Sequence, residues 1–211
     1  DDGIRDSVAS RGLGDVYKRQ EYIVCGAYDG RLKLFGKDSN SALWSYDSGE
    51  DEDFWDVAIS SDGHYIVAGT AWGSDSDTVI LFSKGSNTPI WSYDVGENVR
   101  SVSISANGQY IAIGSNDDSV YFFGKNSSTP LWNYEMASWG VVSISADGQY
   151  VVSGDVNNTI YCLNHTGTNL WNYQANSNIL SVDISANGHY IAAGESYDFP
   201  RCGKTHHTNR K

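Results

Sequence analysis

Apolar and polar residues alternate in short runs along most of the chain, and the same run returns at a regular interval. In one copy, Val142 and Ile144 alternate with serines, which is the period of a β-strand with one buried face. An Asp-Gly pair follows, and a second apolar run then begins at Tyr150. Asp-Gly or Asn-Gly between two such runs predicts a two-residue hairpin, because that turn requires positive φ angles.

The copies share the pattern S-[AS]-[DN]-G-x-Y-[IV]-x-x-G, followed by a turn, a third apolar run and a fourth run with Leu-Trp-x-Tyr or Ile-Trp-x-Tyr. The tyrosines lie 43, 45, 40 and 40 residues apart, at Tyr22, Tyr65, Tyr110, Tyr150 and Tyr190. Four short antiparallel strands at this period are typical of one blade of a β-propeller. The residues that recur in each copy are expected to serve the fold: Gly63, Gly108, Gly148 and Gly188 in the hairpins, and Trp44, Trp91, Trp132 and Trp171 in the fourth strands.

This pattern resembles WD-repeat and quinoprotein-like β-propellers, and the resemblance covers Glu21 to Asp198. The T-G-x-x-x-W segment that begins at Thr166 is similar to the Trp-bearing repeat of the quinoprotein type. The Trp-Asp dipeptide of true WD repeats is replaced here by Leu-Phe or similar pairs. The resemblance implies an all-β fold of four-stranded antiparallel blades, and it implies no single function because this fold carries many activities. A β-sandwich is the alternative, but it predicts no such regular period.

The copies predict three strands, then three sets of four, then two, which makes about four to five blades over residues 21–198. The blade junctions are predicted near 47–56, 94–101, 135–141 and 174–181. We expect a fragment of a larger propeller; the alternative is a closed four-bladed ring completed by the strand at Val182. Open blade edges would favour self-association. The ends, 1–20 and 199–211, lack the repeat and are interpreted as artefacts.

Composition narrows the range of partners. The formal net charge is -12, and residues 21–195 hold 6 basic and 21 acidic side chains. A nucleic-acid partner is therefore not expected, since phosphate binding needs a basic surface. No apolar run reaches the roughly 18 residues that a membrane span requires. Three cysteines form no disulfide framework.

Catalytic chemistry finds little support in the sequence. His64 and His189 occupy a turn position that holds Gln109 and Gln149 in other copies, which indicates solvated turns. No set of nucleophile, base and acid is recognisable. No catalytic residue is therefore assigned.

Three tryptophans stand outside the repeat. Trp55 and Trp139 lie at blade junctions, and Trp72 lies in an enlarged loop between the second and third strands of its blade. In an up-and-down blade these two kinds of loop emerge on the same side, which we call the loop face. The three side chains are expected there, near Arg100, which occupies the position of Trp55 in the next blade. Aromatic and Arg side chains are common interaction anchors; the alternative is that they cap the blade interior.

Carboxylates crowd the same face. Asp51 and Asp53 lie at the first junction, and Asp75 and Asp77 lie in the enlarged loop. Calcium prefers six to eight oxygen ligands, so these four residues are its candidate ligands, although no calcium-loop motif is present. The alternative is a solvated loop. No cofactor is expected, calcium is the alternative, and pyrroloquinoline quinone is not expected because the short loops offer no cradle for it.

Three functions remain open. The predicted one is a non-catalytic scaffold module that binds a protein, peptide or glycan through the loop face. The resemblance implies a second, a fragment of a quinoprotein dehydrogenase that binds pyrroloquinoline quinone with Ca²⁺ and oxidises alcohols or sugars. The third is a purely structural surface repeat. High Asn, Ser, Thr and aromatic content with little Lys favours a secreted or cell-surface location, with the cytoplasm as the alternative.

Overall fold

The computed structural model describes residues 21–49, 52–72 and 77–196. Within these ranges every element is a β-strand, and five separate antiparallel sheets follow one another along the chain. The predicted all-β architecture of propeller blades is confirmed. The predictions for residues 1–20, 199–211, Asp51 and Asp75 lie outside the described residues.

The strands follow the predicted grouping of three, four, four, four and two. The first two sheets contain β1 (Tyr22–Gly26), β2 (Arg31–Gly36) and β3 (Ala42–Asp47), then β4 (Asp53–Ile59), β5 (Tyr65–Ala71), β6 (Thr78–Ser83) and β7 (Trp91–Asp94). The next two contain β8 (Val99–Ile104), β9 (Tyr110–Ser115), β10 (Ser119–Gly124) and β11 (Trp132–Glu135), then β12 (Gly140–Ile144), β13 (Tyr150–Asp155), β14 (Thr159–Asn164) and β15 (Asn169–Gln174). The last contains β16 (Ile179–Ile184) and β17 (Ile191–Glu195). The gaps after β3, β7, β11 and β15 fall inside the four predicted junctions.

The hydrophobic core lies between neighbouring sheets. Each sheet is a meander in which strands adjacent in sequence pair with each other. At the first interface, Val24 and Leu34 pack with Phe54, Val57 and Phe82 of the next sheet. The other three interfaces are built in the same way. A blade therefore buries its apolar faces only by stacking on its neighbours.

The repeat tryptophans join one blade to the next. Three of them donate the indole N–H to a backbone carbonyl one blade further on: Trp44 to Lys84 at 2.9 Å, Trp91 to Lys125 at 2.8 Å and Trp132 to His165 at 2.9 Å. Trp171, on β15, is 44% exposed. The next-blade position equivalent to Lys84, Lys125 and His165 lies outside the described residues for Trp171, so its packing role stays a prediction.

The hairpin between the first and second strands is longer than predicted. Ser60 N–H donates to the Tyr65 carbonyl at 2.9 Å, and Gly63 N–H donates to the Ser60 carbonyl at 2.7 Å. Gly63 has a φ of 69°, but Asp62 is not among the residues of positive φ. The Ser60 hydroxyl donates to the Asp62 carboxylate and accepts the Tyr65 N–H, which holds the turn in this form. The two-residue turn was a wrong prediction, whereas the need for glycine at the four hairpin positions is confirmed.

The strand at Val182 does not complete the first blade. It forms β16, which pairs with β17 in a sheet of its own and packs against β12. Ring closure by this strand is thus absent from the described residues. No helix in the described part of the chain has the length and apolar character needed to cross a membrane.

Candidate functional site

Two β-bulges prepare the site. When β4 pairs with β5, Trp55 is skipped between Phe54 and Asp56. Arg100 is skipped at the equivalent place when β8 pairs with β9. Because the extra residue of a bulge leaves the ladder and its side chain is re-aimed, Trp55 and Arg100 emerge at the loop-face ends of two neighbouring inner strands.

The structure brings the off-repeat tryptophans together around Arg100. The guanidinium carbon lies 4.7 Å from the ring centroid of Trp139, 5.2 Å from that of Trp55 and 5.7 Å from that of Trp72. The rings of Trp55 and Trp72 meet edge to face at 6.0 Å, and Tyr28 lies 5.9 Å from Trp55. We call these five residues the aromatic cluster. Residues from four successive blades form it. The three tryptophans lie near Arg100, as the sequence analysis expects.

Trp139 reaches the cluster because its inner strand lacks the bulge. β12 pairs with β13 without a skipped residue, and Gly140 opposes Asp155. A Cβ on Gly140 would lie 2.3 Å from the carbonyl oxygen of Gly154, so no side chain fits at this position. Trp139 therefore supplies the aromatic ring from the residue just before the strand.

Arg100 is held from three sides. Its Nε donates to the side-chain oxygen of Asn116 at 2.6 Å, and the three indoles lie against its planar head, where cation–π attraction stabilises the charge. Burial lowers the pKa of the Arg100 guanidinium, whereas the negative charge of Asp77 acts in the opposite direction. Asp77 itself is only 5% exposed. The charged guanidinium of Arg100 therefore lies within the cluster, in contact with its three indoles.

Trp72 is displayed in a strained conformation. Its φ is 70°, a region that a bulky aromatic residue rarely occupies. Asn98 of the next blade accepts the Trp72 backbone N–H at 3.0 Å, and the side chain is 58% exposed. Strain of this kind costs about 1–3 kcal/mol and clusters at functional sites.

Sequence reasoning missed Tyr28, Asn98 and Asn116. A signal for Tyr28 was present, because alignment of the copies on Gly26 and Gly114 places it in the repeat position of Asn116. Asn98 shares its repeat position with Asn178, but its side-chain hydrogen bond to Trp72 joins two blades and is not visible in the repeat pattern.

The predicted calcium ligands are only partly described. Asp77 is buried, and its backbone carbonyl accepts the N–H of Val95 at 2.9 Å. Asp53 opens β4, while Asp51 and Asp75 lie outside the described ranges. Among residues 21–49, 52–72 and 77–196, no group of three His, Cys, Asp or Glu side chains is arranged to hold a metal ion. The calcium site stays a prediction.

Comparison with known families identifies the repeat. A family model described as outer membrane protein assembly factor BamB, with PQQ-like repeats, matches residues 28–142 and 116–198. The chain belongs to this family. The overlapping matches include every residue of the aromatic cluster, and they confirm the quinoprotein-like side of the resemblance. Nothing in this match supports the WD-repeat side. A search of curated proteins finds no further match.

Proposed function

We propose that this BamB-like chain is a non-catalytic scaffold module whose loop face binds a protein partner through the aromatic cluster. The observation that carries the proposal is the convergence of Trp55, Trp72 and Trp139 on Arg100. These side chains break the repeat, so the fold of the other blades does not require them. Trp, Tyr and Arg are the residues in which interface hot spots are enriched.

The exposure of the cluster supports binding over simple capping. A capping residue would bury its ring against the blades below it. Trp72 instead stays 58% exposed and Tyr28 48% exposed, while Asn98 fixes the Trp72 backbone in a strained form. Rings that are fixed before binding lose little conformational entropy when a partner arrives.

The family description favours a protein over a glycan as the partner. It describes a factor that acts in the assembly of outer membrane proteins. From this description we infer for this chain only that its partner is a protein. A location outside the cytoplasm accompanies the proposal, as the composition suggested.

The segment that suggested the dehydrogenase alternative packs between blades. Gly167 of the T-G-x-x-x-W segment has a φ of 80°, and a Cβ there would lie 2.9 Å from the ring of Trp132. His165 just before it accepts the Trp132 indole N–H. The segment thus has a packing role between blades. Addition of pyrroloquinoline quinone and Ca²⁺, followed by an assay for dye reduction with alcohols and sugars, tests this alternative directly.

The proposal is tested by parallel screens of the purified chain against a displayed library of random peptides and a glycan array. We expect enriched peptides whose affinity falls at least about tenfold in Trp55→Ala and Trp72→Ala, the loss typical of a hot-spot residue. Trp171→Ala is the matched control, because this tryptophan is also exposed but lies on β15, outside the cluster.

Two results would overturn the proposal. One is that ligands bind equally well to the cluster variants and to the Trp171→Ala control. The other is that Trp55→Ala and Trp72→Phe both unfold the chain, which would assign the rings to capping. Enrichment of glycans alone would reject the protein partner while retaining the loop face.

A further inference from the structure

The two faces of the blade array differ in charge. The side opposite the loop face carries the hairpins between first and second strands, and we call it the hairpin side. It also carries Lys37, Lys84 and Lys125. The ammonium group of Lys84 lies 5.0 Å from the ring centroid of Tyr22, and that of Lys125 lies 4.8 Å from that of Tyr65. The cations at the loop-face turns and junctions of the described residues are the guanidiniums of Arg31 and Arg100. Most of the described carboxylates lie at loop-face turns and junctions, among them Asp29, Asp47, Glu52, Asp94 and Asp118, whereas the hairpin side carries Glu21, Asp38, Asp62 and Asp147. The loop face is therefore the more acidic of the two.

Both loop-face guanidiniums already have partners. Arg31 lies 3.4 Å from a carboxylate oxygen of Asp29 and 4.0 Å from one of Asp47. Arg100 is enclosed by three indoles and bonded to Asn116. An incoming anion would thus approach rings and carboxylates, where no cation of the described residues is unengaged.

Beside the cluster, carboxylates repel one another. Burial and the nearby charge of Asp77 raise the pKa of Glu52, and burial and the charge of Asp29 raise the pKa of Asp53. Asp29 follows Tyr28 directly, and Asp53 precedes Trp55 by two residues. A cation placed here would relieve this repulsion and meet the exposed rings of Trp72 and Tyr28, which attract cations through their faces.

We propose that the partner segment recognised by the aromatic cluster is basic, an extended peptide whose Lys or Arg side chains lie against Trp72 and Tyr28 and beside Asp29 and Asp53. This inference rests on the proposed function and names the chemistry of its partner. The rings supply contact area and cation–π attraction, and the carboxylates select the sign of the charge. Complementary charge governs specificity and the rate of association more than affinity.

The test uses three fluorescent peptides with the same apolar residues and with Lys, Ser or Glu at the remaining positions. Fluorescence anisotropy with the full chain measures their affinities at low and high salt. We expect the Lys peptide to bind about tenfold more tightly than the Ser peptide, and the Glu peptide to bind least. The preference for Lys should decrease between about 50 and 300 mM NaCl, as screening shortens the reach of the carboxylates.

Variants locate the interaction. Trp72→Ala should weaken the Lys peptide about tenfold, and the double change Asp29→Asn and Asp53→Asn should reduce the preference for Lys over Ser. Asp38→Asn is the matched control, since its carboxylate is 83% exposed but lies between β2 and β3 on the hairpin side; it should change nothing.

The outcomes separate the two proposals. If all three peptides bind equally and lose affinity in Trp72→Ala, the basic partner is rejected while binding through the cluster stands. If the Glu peptide binds best, the sign of the charge is wrong. If no peptide binds, or if binding is unaffected by Trp72→Ala, both the basic partner and the proposed function fail for this face.

Discussion

The guanidinium of Arg100 lies 4.7 Å from the ring centroid of Trp139, although these residues belong to the third and fourth blades. Arg100 emerges from a bulge, and Trp139 stands just before the strand in which that bulge is missing. The contact therefore ties two blades together at the loop face, through a cation that other rings also touch.

Replacement of Arg100 should weaken the contact between the third and fourth blades. Arg100→Ala removes cation–π contacts with three indoles, which are worth about 1–2 kcal/mol in a partly desolvated site, and we expect the free energy of unfolding to fall by about that amount. Indole emission should shift to the red as water reaches the rings. Urea unfolding and fluorescence spectra provide the measurements. Lys33→Ala, an exposed cation on β2, is the control, and equal effects of both changes would contradict the assigned role.

Trp72 offers a test of backbone strain. Trp72→Gly and Trp72→Ala both delete the ring, but only glycine accepts a φ of 70° without steric cost. We expect the Gly variant to be more stable than the Ala variant by about 1–2 kcal/mol. Chemical denaturation of the pair measures the difference. Equal stability would mean that the backbone relaxes once the ring is gone, and that the strain is not built into the loop.

The hairpin glycines can be tested in the same manner. Gly148 has a φ of 72°, and a Cβ there would lie 2.4 Å from the ring of Tyr110 in the preceding blade. Gly148→Ala should therefore cost more than the roughly 1–2 kcal/mol of the backbone conformation alone. Gly85→Ala is the control, because nothing lies within 4 Å of its Cβ position; its stability should be unchanged or higher by up to about 1 kcal/mol. A neutral Gly148→Ala would exclude this packing.

The repeat tryptophans should differ in their contribution to stability. Trp132→Phe removes the indole N–H that bonds the His165 carbonyl at 2.9 Å across two blades, and we expect a loss of about 1–2 kcal/mol, since an acceptor in the interface is left unpaired. Trp171→Phe should stay within about 0.5 kcal/mol, as is usual for exposed positions. Thermal unfolding distinguishes them, and a larger loss for Trp171→Phe would contradict the exposed environment of Trp171.

The sequence could predict the blades because many repeated residues contact an equivalent partner one blade away. Tyr110 packs on Gly148 and Trp132 bonds to His165, so the spacing of the residues mirrors the spacing of the contacts. The hairpin type was missed because Ser60 bonds Asp62 and competes with the two-residue turn. Such competition depends on side-chain geometry, which the Asp-Gly pair alone does not reveal.

The candidate site was predictable only in outline. Chain topology places Trp55, Trp72 and Trp139 on one face, and this much follows from the order of the strands. The insertion of Arg100 between their rings depends on which inner strands have a bulge, and the pose of Trp72 depends on one bond from Asn98. Bulges occur in three inner strands but not in β12, and the hydrogen bond to Trp72 involves one asparagine, so the repeat pattern alone could not reveal this arrangement.

Stability should respond to pH in opposite directions at Glu52 and Asp62. Burial and the charge of Asp77 raise the pKa of Glu52 above its ordinary value of 4.5. The folded chain then holds this proton more tightly than the unfolded chain, so stability falls as the pH rises above that value. Glu52→Gln should therefore raise the Tm at about pH 7 and leave it unchanged at about pH 3.5.

Asp62 provides the contrasting case. Burial acts against its ionised form, but hydrogen bonds from Ser60 and His64 outweigh it and lower the pKa of Asp62 below 3.8. Its carboxylate therefore stabilises the fold at neutral pH, and this contribution is lost as the pH falls through the lowered pKa. Asp62→Asn should lower the Tm at about pH 7 and have a smaller effect at about pH 3, where the carboxylate of the wild type is itself partly protonated. Asn already occupies this turn position at Asn107 and Asn187, so the change preserves the hairpin. Scanning calorimetry across this pH range measures both variants, and shifts of the same sign at neutral pH would contradict the assignment.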